Sequence, residues 1–179
     1  MGHTSSDPFP AARGHLHWEV GLMLNSRYDR LMREQKTQNL HGLFNGQNLF
    51  SVDPLLVYRS HRFDPEMTFA SHIADAVPAA VTFVMRGKKP DFFERYPGLW
   101  TGEPFADAPF VVAISESGMP ISGRLATTAE IAKLGNKRIE VLSVDEKVLG
   151  RNARAYVVKK GATWVVSAAG ERWRDVFLY

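Results

Sequence analysis

The sequence predicts an α+β fold, because apolar runs of strand length are interspersed with short capped helices and the closing strands are joined by a tight turn. Residues 79–85 and 110–114 are β-branched and apolar, which is typical of buried strands. Residues 127–135 begin with a hydroxyl cap and end at a glycine, which is typical of a short helix. Residues 155–159 and 162–168 flank Lys160-Gly161, which predicts an antiparallel hairpin.

The remaining elements follow from the same kinds of pattern. We expect two further helices, and an Asn-Gly turn at Asn45 and Gly46. The helices are predicted at residues 26–35 and 65–76, a strand at 138–144, and one more strand at 172–179.

Composition excludes several classes of protein. The 179 residues include no cysteine, which rules out disulfides and thiolate metal sites. No stretch approaches the ~20 apolar residues of a transmembrane helix, and the first residues lack the pattern of a signal peptide. The net charge of +3 is spread along the chain, with no interleaved basic and aromatic stripe, so we expect no nucleic-acid partner.

Two histidines stand two residues apart in a β-prone run. Residues 14–20 read Gly-His-Leu-His-Trp-Glu-Val, so a strand here would place His15 and His17 on the same face. That arrangement suits a metal site or a proton-transfer site. Solvated histidines on an exposed strand face are the structural alternative.

Three motifs in order resemble the closing segment of the lysostaphin/LytM-type zinc metallopeptidases. Gly2-His3-Thr4-Ser5 matches a glycine-containing turn, residues 14–20 match the family's "HLHWEV" strand, and Val52-Asp53-Pro54-Leu55 matches its "VDPL" element. The resemblance covers residues 2–57, with an insertion of about thirty residues in front of the last motif.

The resemblance implies a function for both histidines. It makes His17 a zinc ligand and His15 the imidazole that transfers protons at the scissile amide. A catalytic zinc takes about three protein ligands and lowers the pKa of its bound water to about 7. The substrate would be a peptide cross-link of peptidoglycan. The location would be the cell envelope, periplasm or extracellular space, if the full-length protein is exported.

The sequence also departs from the family, whose other two zinc ligands come from an upstream His-x-x-x-Asp motif. His3 and Asp7 have that spacing but occupy the position of the glycine-containing turn. We therefore expect that Met1 is an internal start and that this chain is inactive alone. A non-catalytic module that binds the envelope or has a regulatory role is the alternative function.

These patterns predict a division into two domains. Residues 1–60 would be the C-terminal portion of the peptidase domain, a partial antiparallel β structure, and residues 61–179 a small α+β domain of unknown function. The insertion, residues 25–50, either forms a wall of the substrate groove or is a surface elaboration outside the core. The aromatic-rich residues 91–100 either bind a sugar or peptide, or are core beneath a loop.

Overall fold

The computed structural model describes residues 20–150 and 155–179. These residues form seven α-helices and eight strands in antiparallel sheets, which confirms the predicted α+β class. In chain order the elements are β1 (Val20–Met23), α1 (Tyr28–Glu34), β2 (Leu49–Val52), α2 (Pro54–Phe63), α3 (Phe69–Ala76), β3 (Val81–Met85), α4 (Asp91–Arg95), β4 (Phe110–Ile114), β5 (Pro120–Leu125), α5 (Thr128–Leu134), β6 (Ile139–Val144), α6 (Glu146–Leu149), β7 (Val157–Lys160), β8 (Thr163–Val166) and α7 (Ala168–Leu178).

A four-stranded sheet with the order β5-β4-β3-β6 is the centre of the fold. All its neighbouring strands are antiparallel. Alternation along β3 sends Phe83 and Met85 into the main core and Val84 into a second, small cluster with Val111 and Leu134 of α5. The sheet is therefore covered on both faces, which explains why its central strands β3 and β4 read as nearly continuous apolar runs.

The main core is rich in aromatic side chains. Trp173 and Phe177 of α7 stack with ring centroids 4.9 Å apart, and Phe93 meets Phe177 edge-on at 5.9 Å. Phe92 and Phe93 are both almost completely buried. The aromatic residues of the 91–100 segment therefore serve mainly as core beneath a loop, in agreement with the structural interpretation of this segment.

Residues 20–52 contribute to the same core. Strands β1 and β2 pair antiparallel, and α1 buries Tyr28, Leu31 and Met32. These side chains belong to one hydrophobic cluster with Phe83 and Phe177. The interpretation of the insertion as a surface elaboration is therefore wrong, because its helix fills part of the core.

Two buried asparagines connect this segment to the end of the chain. Asn25 and Asn48 are both 0% exposed. The Asn25 backbone N–H donates to Asn48 Oδ1 at 2.8 Å, and Asn25 Nδ2 donates to the Val176 carbonyl at 2.6 Å. That carbonyl lies in the last turn of α7, where helical carbonyls have no partner within the helix.

The predicted strand at residues 172–179 is wrong, because these residues lie in helix α7 or directly after it. The Ser167 hydroxyl accepts from the Gly170 N–H at 3.1 Å and begins the helix. Gly170, Trp173 and Phe177 are buried at helical spacing. The other helices and strands predicted within residues 20–179 are present, with ends shifted by up to four residues, while α2, α4, α6, β2 and β5 were not predicted.

The predicted boundary at residue 60 falls inside helix α2. Hydrogen bonds join its two sides: the Met23 N–H donates to the Tyr96 hydroxyl at 3.0 Å, and the Ser26 N–H donates to Asp91 Oδ2 at 2.6 Å. The division into two domains stays a prediction.

Substitution Glu130→Gln is expected to lower stability at neutral pH by about 1 kcal/mol. Hydrogen bonds from Arg124 hold the pKa of Glu130 at about 2, with Thr127 contributing and burial opposing them. A carboxyl group with a lowered folded-state pKa stabilises the fold above its ordinary value of 4.5 and loses that contribution as the pH falls towards 2. The loss caused by the substitution should therefore shrink over this range in urea unfolding experiments.

Glutamine can keep the capping-box hydrogen bond with Thr127, so the substitution removes the charge and one of the two oxygens that accept from Arg124. Glu103→Gln is the control, because Glu103 is exposed and makes no ion pair within the described part of the chain. A stability difference for Glu130→Gln that stays constant from neutral to acid pH would contradict the prediction.

Candidate functional site

The structure brings together the ends of two motifs that resemble the peptidase family. Val20 is the last residue of the 14–20 motif and the first residue of β1, and it lies opposite Val52, the first residue of the Val-Asp-Pro-Leu motif. His15 and His17 lie outside the described residues, so their assigned roles stay predictions.

Asp53 has a clear local role at this junction. It is the N-cap of α2, where its Oδ1 accepts from the Leu55 N–H at 2.8 Å and the Leu56 N–H at 3.3 Å. Pro54 follows at the first helical position, where its missing N–H costs nothing. The motif therefore ends a strand and starts a helix.

A cavity of about 440 Å³ opens beside Asp53. Its walls come from the junction of β2 with α2, from α3 and the residues after it, from the β4–β5 turn and from α6. The described lining residues are Ser51, Val52, Asp53, Leu56, His72, Val77, Pro78, Ser115, Glu116, Ser117, Met119 and Val148.

His72 lies on the buried side of helix α3. The Thr68 hydroxyl accepts from the Ser71 N–H at 3.1 Å, and this capping box fixes the start of the helix. His72 is only 4% exposed and lines the cavity. Its imidazole makes no hydrogen bond to any residue that the structure describes, and its nitrogens are not among the fully buried polar atoms without a partner, so they remain accessible.

The turn between β4 and β5 forms the opposite wall. The Ser115 hydroxyl lies 2.9 Å from the Ser117 hydroxyl and accepts from the Met119 N–H at 3.2 Å. Two aromatic side chains anchor the turn: Tyr156 donates to the Ser117 carbonyl at 2.8 Å, and Trp173 Nε1 donates to the Gly118 carbonyl at 2.8 Å.

Gly118 is required for this anchoring. Its φ of +90° is unfavourable for residues with a side chain, and a Cβ there would lie 2.3 Å from the Tyr156 hydroxyl oxygen. The turn is thus held closely against the core, and it presents Glu116 at the cavity.

The charge of the described lining is negative. Asp53 and Glu116 are carboxylates, and no lysine or arginine is among the described lining residues. Glu116 forms no ion pair with the described residues; its Oε2 would lie 3.1 Å from a Cβ placed on Gly150. The cavity therefore presents hydrogen-bond acceptors without a neutralising cation from the described lining.

The described residues do not supply a metal site by themselves. No group of three or more His, Asp or Glu side chains within residues 20–150 and 155–179 is placed to hold a metal ion. Within the same ranges, no helix has the length and apolar character needed to span a membrane.

Two cavity residues were not recognised in the sequence. His72 stands three residues after Phe69 and beside Ile73, so helical periodicity alone places it on the packed face of α3. Glu116 has no such signal, because its position depends on the anchoring of the turn by the distant residues Tyr156 and Trp173.

Comparison of this chain with known proteins found no match. No family model matches the chain, and neither a curated protein nor a solved structure matches it.

Proposed function

We propose that this chain is the C-terminal part of a zinc-dependent endopeptidase that hydrolyses peptide cross-links of peptidoglycan. The observation that supports the proposal most directly is the pairing of Val20 with Val52. It brings Val20, the last residue of the 14–20 motif, beside the Val-Asp-Pro-Leu motif, although an insertion separates the two motifs in the sequence.

The proposed chemistry divides between the two histidines. His17 would be a zinc ligand and His15 would accept and return a proton at the scissile amide, a role suited to an unperturbed imidazole pKa near 6.5. Val20 begins strand β1, and the resemblance implies that His15 and His17 lie in a strand as well. In an extended segment, residues two apart share a face. The protein would act in the cell envelope or outside the cell.

The direct test compares this chain with the same chain extended upstream in frame to a complete domain. Both are assayed for bound zinc and for release of soluble fragments from purified peptidoglycan. Zinc-dependent release by the extended protein supports the proposal. A folded extended protein that neither binds zinc nor degrades peptidoglycan contradicts it.

A non-catalytic module that binds the envelope is a second candidate, and helix α2 favours it. None of the ten residues of α2 is buried, and Phe63 is 91% exposed. Tyr58 and Leu55 are also exposed, and they alternate around the helix with Arg59 and Arg62. Neither arginine forms an ion pair with a described residue.

Apolar and basic side chains on one helical face suit an anionic lipid surface, where the rings enter the interface and the arginines meet the headgroups. We expect the chain to co-sediment with vesicles of phosphatidylglycerol and to do so several-fold less after Phe63→Ser or Arg62→Gln. Lys36→Gln, an exposed substitution outside this face, is the control. Equal binding to neutral phosphatidylcholine vesicles, or binding unchanged by both α2 substitutions, would contradict the second candidate.

A further inference from the structure

We propose that the cavity between α3, the start of α2 and the β4–β5 turn binds a primary alkylammonium group, that is, an amine on an aliphatic stem. The site is argued from the residues of the cavity. Only the identification of this amine as part of a peptidoglycan peptide rests on the function proposed above.

The first argument is the balance of charge. Asp53 and Glu116 line the cavity, and the described lining offers no lysine or arginine to neutralise them. Asp53 Oδ1 already accepts the N–H groups of α2, but a carboxylate can accept several hydrogen bonds. A cationic ligand would satisfy the remaining acceptors, whereas an anionic ligand would meet like charges.

The second argument is the unpartnered imidazole of His72. The residue is nearly completely buried and lines the cavity, no described residue hydrogen-bonds to its imidazole, and its ring nitrogens are not among the fully buried atoms without a partner, so they are accessible to a ligand. A neutral imidazole has one nitrogen that accepts, and an ammonium group has three N–H donors and no acceptor. A bound ammonium group would therefore supply a donor for His72 and keep two N–H groups for the carboxylates of the lining.

The third argument is the apolar part of the wall. Leu56, Val77, Met119 and Val148 contribute hydrocarbon surface to the cavity, which suits the methylene groups of an aliphatic stem. A volume of about 440 Å³ is in the range of sites for small ligands. A long side chain with a terminal amine would match both the apolar wall and the acidic residues.

The position of the cavity connects it with the proposed peptidase. Val52 and Asp53 line the cavity, and Val52 pairs with Val20, the last residue of the 14–20 motif. If the proposed function is correct, the cavity would hold an amine of the peptide substrate next to the cleaved cross-link. It would then determine specificity without taking part in hydrolysis.

The test uses the full chain and two synthetic probes measured by calorimetry and by NMR of the histidine side chains. The probes are Nα-acetyl-L-lysine methylamide and Nα-acetyl-L-norleucine methylamide, which differ chiefly in the terminal ammonium group. We expect the lysine probe to bind at least tenfold more tightly, and to shift the His72 imidazole resonances. The same resonances should be absent from the spectrum of His72→Gln.

Glu116→Gln tests the charge without disturbing the core, because Glu116 is exposed. It should weaken binding of the lysine probe at least fivefold, and the matched control Glu103→Gln should leave it unchanged. Comparable affinity for both probes, absence of binding by the lysine probe, or unaltered binding by Glu116→Gln would each overturn the proposal.

These measurements need neither zinc nor catalysis, so their outcome is separable from that of the peptidase test. Selective binding of the lysine probe by a chain whose extended form lacks hydrolysis would support the cavity and contradict the peptidase. Hydrolysis by the extended protein without selective binding of the lysine probe would support the peptidase and contradict the proposed ammonium site.

Discussion

Substitution His17→Ala is expected to abolish both zinc retention and peptidoglycan hydrolysis in a protein that carries the complete peptidase domain. The reason is that, in the proposed site, the substitution would remove one of about three protein ligands, and a catalytic zinc is not held well by the remaining two. Metal content by atomic emission and release of soluble peptidoglycan fragments are the measurements. Activity should fall to background.

Substitution of the neighbouring histidine, His15, is expected to give a contrasting result. His15→Ala should preserve most of the zinc while lowering turnover by roughly a hundredfold or more, the scale of a lost general acid or base. His41→Ala is the control, because His41 is exposed and distant in sequence from the motif. Equal zinc loss in the His15 and His17 variants would show that the roles are assigned wrongly, and wild-type activity in both would contradict the resemblance to the family.

The largest effect on stability is expected for Asn25→Ala, about 2–4 kcal/mol. The side chain is completely buried. It donates to the Val176 carbonyl at 2.6 Å and accepts from the Arg27 N–H at 2.7 Å. Alanine leaves both backbone groups without this partner, and a buried group that loses its hydrogen bond costs about 1–3 kcal/mol. Urea unfolding followed by circular dichroism measures the change.

Asn136→Ala is the matched control, since Asn136 is exposed, and it should change the free energy of unfolding by less than about 0.5 kcal/mol. Asn25→Asp provides a second variant of the same shape, because a carboxylate cannot donate to the Val176 carbonyl. A loss below about 1 kcal/mol for both Asn25 variants would contradict the role given to this hydrogen bond.

The same experiment tests the division into two domains. Asn25 lies in the predicted first domain and Val176 in the second. Three of the four tryptophans, Trp100, Trp164 and Trp173, also lie in the second, so fluorescence reports mainly on that region. We expect fluorescence and circular dichroism to shift together in Asn25→Ala, because the two regions share one hydrophobic cluster. An unchanged fluorescence transition would support a boundary at residue 60.

The sequence by itself determined the elements whose signals are local. Helix α5 begins at the Thr127 cap and ends at Gly135, as its flanking residues predict. Strand β4 has the predicted bounds, because a short apolar run rich in β-branched residues is by itself a signal for a buried strand. The α+β class follows from such elements together. The resemblance to a zinc peptidase also came from sequence alone, through residues 14–20 and the Val-Asp-Pro-Leu motif.

Only the tertiary structure decided which of these elements meet. The cavity joins His72, Asp53 and Glu116, which are distant in sequence. Its turn is held by Tyr156 and Trp173 from the far end of the chain. Helix α7 likewise depends on its packing, since the spacing of Trp173 and Phe177 becomes informative only when both face the same core. Local patterns encode backbone conformation, whereas the free energy of long-range packing selects the side chains that share a site.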